Sequence, residues 1–256
     1  MTKRVARTRT NCGGPPALWQ GGAVDVSVTA LHPGVDVRPA RGATHALVLL
    51  LHGGKERSYD KSEPMHYSAR RMRPFARALH RRGARHGVAV WTVRYRVRGW
   101  NEPDLSPVAD ARWALEEVRR RHGDVPVVLL GHSMGGRVAV RVLDDPSVVA
   151  MVALAPWLPH EPVEVARDRD VLVAHAVVDS WTSPQASLAW AEQVRAVARS
   201  VSYVRIRRTG HFLLRRQRLW TQLATGFCLS SLGLPPAVGR SATAVLAAAK
   251  GTTVTV

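Results

Sequence analysis

The sequence predicts a doubly wound α/β fold, in which a mostly parallel sheet carries helices on both faces. Short, nearly continuous apolar segments rich in β-branched residues recur along the chain, and such segments are typical of parallel strands buried on both faces. Segments with apolar residues at helical spacing lie between them. The chain has 256 residues, of which 46% are hydrophobic and 22% charged, so it can form a large core without disulfides.

Seven segments are predicted to form strands. The first, Val24–Leu31, alternates polar and apolar residues and is expected to be an antiparallel edge strand. The other six are expected to run parallel: Ala46–Leu51, Val88–Val93, Val125–Leu130, Val148–Leu154, Val171–Val178 and Val201–Ile206.

Helices are predicted in the intervals between these strands. Met72, Phe75, Ala76 and Leu79 follow the i, i+3, i+4, i+7 spacing of one helix face. Ser-Pro pairs at 106–107 and 183–184 are each expected to begin a helix, with the serine as N-cap and the proline as the first residue. The ranges 137–144 and 212–230 are expected to supply two more helices.

Both ends of the chain are expected to be flexible and to lie outside the domain, which leaves 23–234 as the folded unit. Residues 1–22 form a basic leader interrupted by Gly and Pro, and residues 235–256 form a tail of low complexity. No apolar segment follows the basic N-terminus as in a signal peptide. No run approaches the roughly 20 apolar residues of a membrane span, so we expect no membrane partner.

The formal net charge is +18, which would suit a nucleic-acid partner if the basic residues were clustered. They are instead spread along the chain, arginine far outnumbers lysine, and no known nucleic-acid-binding motif is present. Nucleic acid is therefore not the predicted partner, although a salt-dependent polyanion binder stays an alternative. The oligomeric state is not predicted.

The cysteine and histidine patterns bear on location and metal binding. Cys12 and Cys228 are too few for a disulfide framework, and no CxxC pair is present. We therefore expect a reducing, cytoplasmic location. The histidines lack the spacing of metal ligands, so the sequence predicts no metal and no cofactor.

The motif that carries chemistry is G-x-S-x-G at 131–135, between a predicted strand and a predicted helix. A sharp turn at this point holds Ser133 in a strained conformation, and the flanking glycines remove side-chain atoms that would collide. The serine hydroxyl then lies at a helix N-terminus, where backbone N–H groups stabilise negative charge. Ser133 is therefore the predicted nucleophile.

A serine nucleophile needs a base, and the base needs an acid to orient it. Among the acidic residues that follow Ser133, only Asp179 comes just after a buried strand. His211 is the only histidine after Asp179, and it follows the next strand. The carboxyl ends of parallel strands meet at one edge of a sheet, so we expect Ser133, Asp179 and His211 to converge.

An oxyanion hole requires two N–H donors. We expect one from Met134, which follows the nucleophile, and one from Gly54 in the Leu51-His52-Gly53-Gly54 loop after the first parallel strand. His52 is interpreted as a structural residue of that loop.

Four aromatic residues follow strand ends and are predicted to line a substrate pocket. They are Tyr95, Trp100, Trp157 and Trp181.

The sequence resembles the α/β-hydrolase superfamily over about residues 24–231. The matching motifs are LHGG at 51–54, GHSMGG at 131–136, VVDSWTSP at 177–184 and TGHF at 209–212. The particular form resembles compact bacterial hydrolases of the dienelactone-hydrolase and small-esterase kind. The resemblance implies an α/β-hydrolase fold with an eight-stranded sheet, a Ser133–Asp179–His211 triad, and hydrolysis without a cofactor.

One departure from the family concerns the lid, a helical insert that often precedes the acid. Only Pro156–Asp170 is available for it here, which is little more than an ordinary loop. We therefore expect a minimal lid or none, and an open site.

These features predict a serine hydrolase that cleaves carboxylic esters of small or medium size through an acyl-enzyme on Ser133. A thioesterase, a lactone or peptide hydrolase, and an acyltransferase could use the same triad, because fold and triad do not set the substrate. A non-catalytic binding protein with the same fold is a further alternative.

Overall fold

A computed structural model of the protein describes residues 31–256. Its strands form one eight-stranded sheet in the order β1-β3-β2-β4-β5-β6-β7-β8. Only β1 is antiparallel to its neighbour. The strands are β1 (Gly34–Arg38), β2 (Ala46–Leu51), β3 (Val88–Arg94), β4 (Val127–His132), β5 (Val148–Leu154), β6 (Asp170–Ala176), β7 (Ser200–Ile206) and β8 (Thr253–Thr255).

Helices within the described residues connect most of these strands. They are α1 (Tyr67–Arg71), α2 (Arg73–Gly83), α3 (Ser106–His122), α4 (Met134–Arg141), α5 (Pro184–Val194), α6 (Gln217–Ser231) and α7 (Arg240–Ala249), with short 3₁₀ turns at Ala84–His86 and Glu164–Ala166. None of them is both long and apolar enough to cross a membrane.

The sheet separates two apolar cores, which makes the fold doubly wound. Alternate residues of β2 point to opposite faces: Leu47, Leu49 and Leu51 contribute to one core, and Val48 and Leu50 to the other. Helices α3, α4 and α5 cover the first core, while α2, α6 and α7 cover the second. Because both faces are covered, the central strands are apolar throughout.

The six predicted parallel strands are all present, with ends shifted by at most two residues. The predicted edge strand Val24–Leu31 lies outside the described residues apart from Leu31. In the described part of the chain, the antiparallel edge strand is β1, which pairs with β3.

The two predicted helix starts differ in outcome. Ser183 is the N-cap of α5, and its hydroxyl accepts a hydrogen bond from the Ala186 N–H at 3.1 Å. The N-cap of α3 is Leu105 rather than Ser106, and Ser106 is already helical. Leu105 has a left-handed backbone (φ 48°), a conformation that the Ser-Pro pattern does not reveal.

The expectation of a loose tail after residue 234 is wrong. Residues 240–249 form α7, and β8 adds a parallel strand beside β7. Ala242 and Ala249 are fully buried. The segment is simple in composition, but its alanines favour helix and its final TTVTV favours strand.

Candidate active site

Ser133 lies in the sharp turn between β4 and α4, with φ 56° and ψ −121°. A non-glycine residue in this region is strained by about 1–3 kcal/mol. The turn needs its glycines, because a Cβ at Gly135 would overlap the Leu51 carbonyl and a Cβ at Gly131 would overlap the backbone of Gly135. The motif thus presents the Ser133 hydroxyl at the carboxyl edge of the sheet.

The three residues predicted to converge are in contact. His211 Nε2 lies 3.0 Å from Ser133 Oγ, and His211 Nδ1 lies 3.0 Å from Asp179 Oδ2. An ionised carboxylate only accepts, so Nδ1 carries the proton and Nε2 is left to accept from the serine hydroxyl. His211 is buried with 7% exposure, which limits competition from water for these bonds.

Asp179 is held as a carboxylate by several donors. Its Oδ1 accepts the backbone N–H groups of Trp181 (2.8 Å) and Thr182 (3.0 Å). Burial alone would raise the pKa of Asp179, but hydrogen bonds from His175, His211 and these amides outweigh it, so that the pKa lies well below its usual range. Asp179 is therefore charged at neutral pH.

A second histidine, His175 of β6, also contacts Asp179, and sequence reasoning missed it. Its Nε2 lies 3.3 Å from Asp179 Oδ2, while its Nδ1 lies 2.7 Å from the hydroxyl of Ser187. That hydroxyl is 2.8 Å from the phenol of Tyr203. The available signal was a histidine within an otherwise apolar strand, since a buried polar group needs a partner.

His132, inside the turn motif, supports the loop that carries His211. Its Nε2–H donates to the backbone carbonyl of His211 at 2.9 Å. Burial, and then repulsion from His211 when that ring is protonated, lowers the pKa of His132 to about 3, so the ring is neutral at pH 7 and can keep one hydrogen on Nε2.

The two predicted oxyanion donors, Gly54 and Met134, are adjacent beside Ser133. A Cβ at Gly54 would lie 2.6 Å from Met134 Sδ. Met134 is the first residue of α4, so its N–H has no intrahelical acceptor. Within residues 31–256 the Gly54 N–H donates to no protein group. His52 holds this loop as predicted, because its Nδ1–H donates to the Gly53 carbonyl at 2.7 Å.

Ser133 lines two neighbouring cavities, one of about 370 Å³ and one of about 350 Å³. Trp181 lines both and is 69% exposed, while Trp157 lines the second. The segment Pro156–Asp170 adds only a short 3₁₀ turn, so the cleft is open. This agrees with the expectation of a minimal lid.

The expectation that Tyr95 and Trp100 line the pocket is wrong. Both are 1–2% exposed and lie in the apolar core. Tyr95 packs on His52 with ring centroids 4.5 Å apart. Trp100 is covered by the guanidinium of Arg137 at 4.1 Å. Both follow β3, which ends at the correct edge, but their side chains point inward. Within residues 31–256, no group of three or more His, Cys, Asp or Glu residues could hold a metal ion.

Comparisons with known proteins are consistent with this geometry. Residues 48–251 match the model of the alpha/beta hydrolase family. The chain is also similar to Est1E from Butyrivibrio proteoclasticus, solved with ferulic acid, at 14% identity and a TM-score of 0.59, covering 78% of this chain and 96% of that one. It resembles an alpha/beta serine hydrolase without a lid from Xanthomonas campestris at 19% identity and a TM-score of 0.57, covering 78% and 88%.

An alpha-beta serine hydrolase homologue from Coxiella burnetii is similar at 16% identity and a TM-score of 0.59, covering 75% of this chain and 89% of that one. No curated protein sequence matches the chain. At these identities the solved structures support the fold.

Proposed function

The chain belongs to the alpha/beta hydrolase family, and from this premise we propose that it is a serine hydrolase that cleaves carboxylic esters of small or medium size. The observation that carries the proposal is the continuous contact from Ser133 Oγ through His211 to Asp179, at 3.0 Å for each bond. A strained serine in such contact with an oriented histidine is suited to nucleophilic attack.

In the proposed acylation step, Ser133 Oγ attacks the ester carbonyl while His211 Nε2 accepts the hydroxyl proton. Asp179 stabilises the imidazolium that forms, because it is itself held charged by backbone N–H donors. The Gly54 and Met134 amides bind the oxyanion of the tetrahedral intermediate. His211 then gives its proton to the leaving alcohol, and the acyl group stays on Ser133.

In the deacylation step, water attacks the acyl-enzyme and His211 takes its proton. The acid leaves, and the proton returns to Ser133 Oγ. The open cleft beside Trp181 gives water direct access. We also propose a preference for short acyl chains, because the Pro156–Asp170 segment forms no lid that could cover a long chain. A small-molecule substrate and a cytoplasmic location are part of the same proposal.

The test combines active-site labelling with a substrate panel. A fluorophosphonate probe should label the wild-type chain and fail to label the Ser133→Ala variant. 4-Nitrophenyl esters of increasing acyl length should be hydrolysed with an optimum at short chains, and Ser133→Ala should lower kcat by several orders of magnitude. The Ser183→Ala variant is the matched control, because that hydroxyl caps α5 and is outside the proposed chemistry.

Other outcomes would favour the alternatives. A folded wild-type chain that neither reacts with the probe nor cleaves any ester would favour a binding protein of the same fold. Thioesters or lactones cleaved much faster than oxygen esters would keep the triad and change the substrate class.

A further inference from the structure

The larger cavity beside Ser133 has an apolar, aromatic wall. Tyr67, Trp181, Phe212 and Leu214 line it and are all exposed. Trp181 and Phe212 contact each other with ring centroids 5.2 Å apart. Exposed apolar side chains gathered around one cleft mark a ligand surface.

Arg71, at the end of α1, adds a positive charge to this wall. Its guanidinium carbon lies 5.1 Å from the ring centroid of Phe212 and 5.7 Å from that of Tyr67. No carboxylate in residues 31–256 forms a salt bridge with Arg71, and in that part of the chain none of its guanidinium N–H groups has a hydrogen-bond acceptor.

This charge is costly for the protein as it stands. Arg71 is half-buried, and burial lowers the pKa of its guanidinium from the usual value. A partly desolvated charge with no counter-ion among residues 31–256 is unfavourable within that part of the chain. A bound anion would supply both the missing charge and the missing acceptors.

The remaining charged residues of the same cavity carry the same sign. Lys55 and Arg98 also line it, and none of the Asp or Glu residues in the described part of the chain does. The carboxylate nearest to both is Asp60, at 3.9 Å from each, and it is exposed. The smaller cavity differs, because Glu56 lines it together with Lys55 and the two charges offset each other. The charge distribution therefore favours an anion in the larger cavity only.

We propose that the larger cavity selects substrates that carry an anionic oxygen group, which pairs with Arg71, on a short apolar or aromatic body that packs against Trp181 and Phe212. The planar guanidinium donates two parallel hydrogen bonds to a carboxylate or a phosphate. This inference deepens the proposed function and rests on it, since it names the substrate class of the same site.

The kinetic test compares 4-nitrophenyl hemiglutarate, which carries a free carboxylate, with its neutral methyl ester. Wild-type enzyme should prefer the acid, and the preference should shrink as salt screens the pair. A hydrogen-bonded pair with a charged group corresponds to about tenfold to hundredfold in kcat/KM. We therefore expect Arg71→Gln to lower the ratio of acid to methyl ester by about that factor.

Arg70→Gln is the matched control, because Arg70 is exposed on the same helix and does not line the cavity. It should leave the ratio and the activity unchanged. If wild type prefers the methyl ester, or if Arg71→Gln and Arg70→Gln keep the same ratio, the inference is wrong. Matched circular dichroism and melting curves exclude a folding defect as the cause.

A binding measurement separates this inference from the proposed function. Calorimetry on the Ser133→Ala variant should detect binding of 3-phenylpropionate and of phenyl phosphate, and little or no binding of 3-phenylpropionamide. Adding Arg71→Gln should remove the difference between acid and amide. If neither of the two 4-nitrophenyl esters is hydrolysed but the acid still binds more tightly than the amide, the hydrolase proposal fails and the anion site stands. Equal binding of acid and amide would overturn the anion site alone.

Discussion

Replacing Glu161 with glutamine should destabilise the protein far more than an ordinary surface charge change. The Glu161 side chain is fully buried, and its carboxylate pairs with Arg137 Nε at 2.5 Å and with Arg141. Arg137 is itself buried with 6% side-chain exposure, between the indoles of Trp100 at 4.1 Å and Trp157 at 4.4 Å. The pair anchors the Pro156–Asp170 segment to the helix that begins after Ser133.

The size of this destabilisation depends on the interaction partners that Arg137 keeps after the substitution. Removing one partner of a buried ion pair costs about 3–5 kcal/mol, because the other charge stays buried and uncompensated. Glu102 remains 3.2 Å from Arg137 and is mostly exposed, and the side-chain carbonyl of the introduced glutamine can still accept one hydrogen bond. We therefore expect a loss of about 2–3 kcal/mol in the free energy of unfolding. For a chain of this size that lowers Tm by about 4–12 °C.

Equilibrium unfolding in urea and thermal melts at pH 7.5 would measure this loss. The matched control is Glu164→Gln, which breaks an exposed ion pair with Arg167 in the same segment and should cost less than about 1 kcal/mol. Equal losses in the two variants would refute the argument that burial of the Arg137–Glu161 pair determines its contribution.

Three further predictions concern the site and its surroundings. Gly135→Ala should yield no folded, active enzyme, because its Cβ would overlap a carbonyl of β2, whereas Gly210→Ala has open space and should fold normally, as soluble yield and circular dichroism would show. Burial lowers the pKa of His52 to about 4 and of His132 to about 3, against 6.5 when unfolded. The unfolded chain therefore binds more protons, and urea unfolding should show stability falling as pH drops from 6.5 towards 4; a flat profile would contradict this. Trp181→Ala should raise KM for aromatic esters without lowering Tm, since Trp181 is exposed in the cleft; a large loss of Tm would assign it a structural role.

Much of the fold could be predicted because its signals are local. The parallel strands are nearly continuous apolar segments, and two of them, Ala46–Leu51 and Val148–Leu154, match the structure at both ends. Whether the segment after residue 234 folds could not be predicted from its composition. Whether Ala242 is buried depends on α6 lying beside it, which no local pattern encodes.

The candidate site likewise has a part that could be predicted from the sequence and a part that could not. Strand order and the glycine turn suffice to bring Ser133, Asp179 and His211 to one edge, because parallel strands end there together. Strand order does not determine in which direction a side chain at that edge points. Tyr95 and Trp100 follow a strand that ends correctly, yet both point into the core.

Local patterns in the chain were enough to locate the strained turn and to place the acid and the base after it in order. Steric and apolar patterns of consecutive residues specify both. The folded structure was needed to show that His175 contacts Asp179 and that Arg71 faces the cleft. These contacts depend on register and on the packing of segments far apart in the chain. Whether a charge such as that of Arg71 is partly buried and faces a cleft depends on neighbours that only the folded chain brings to it.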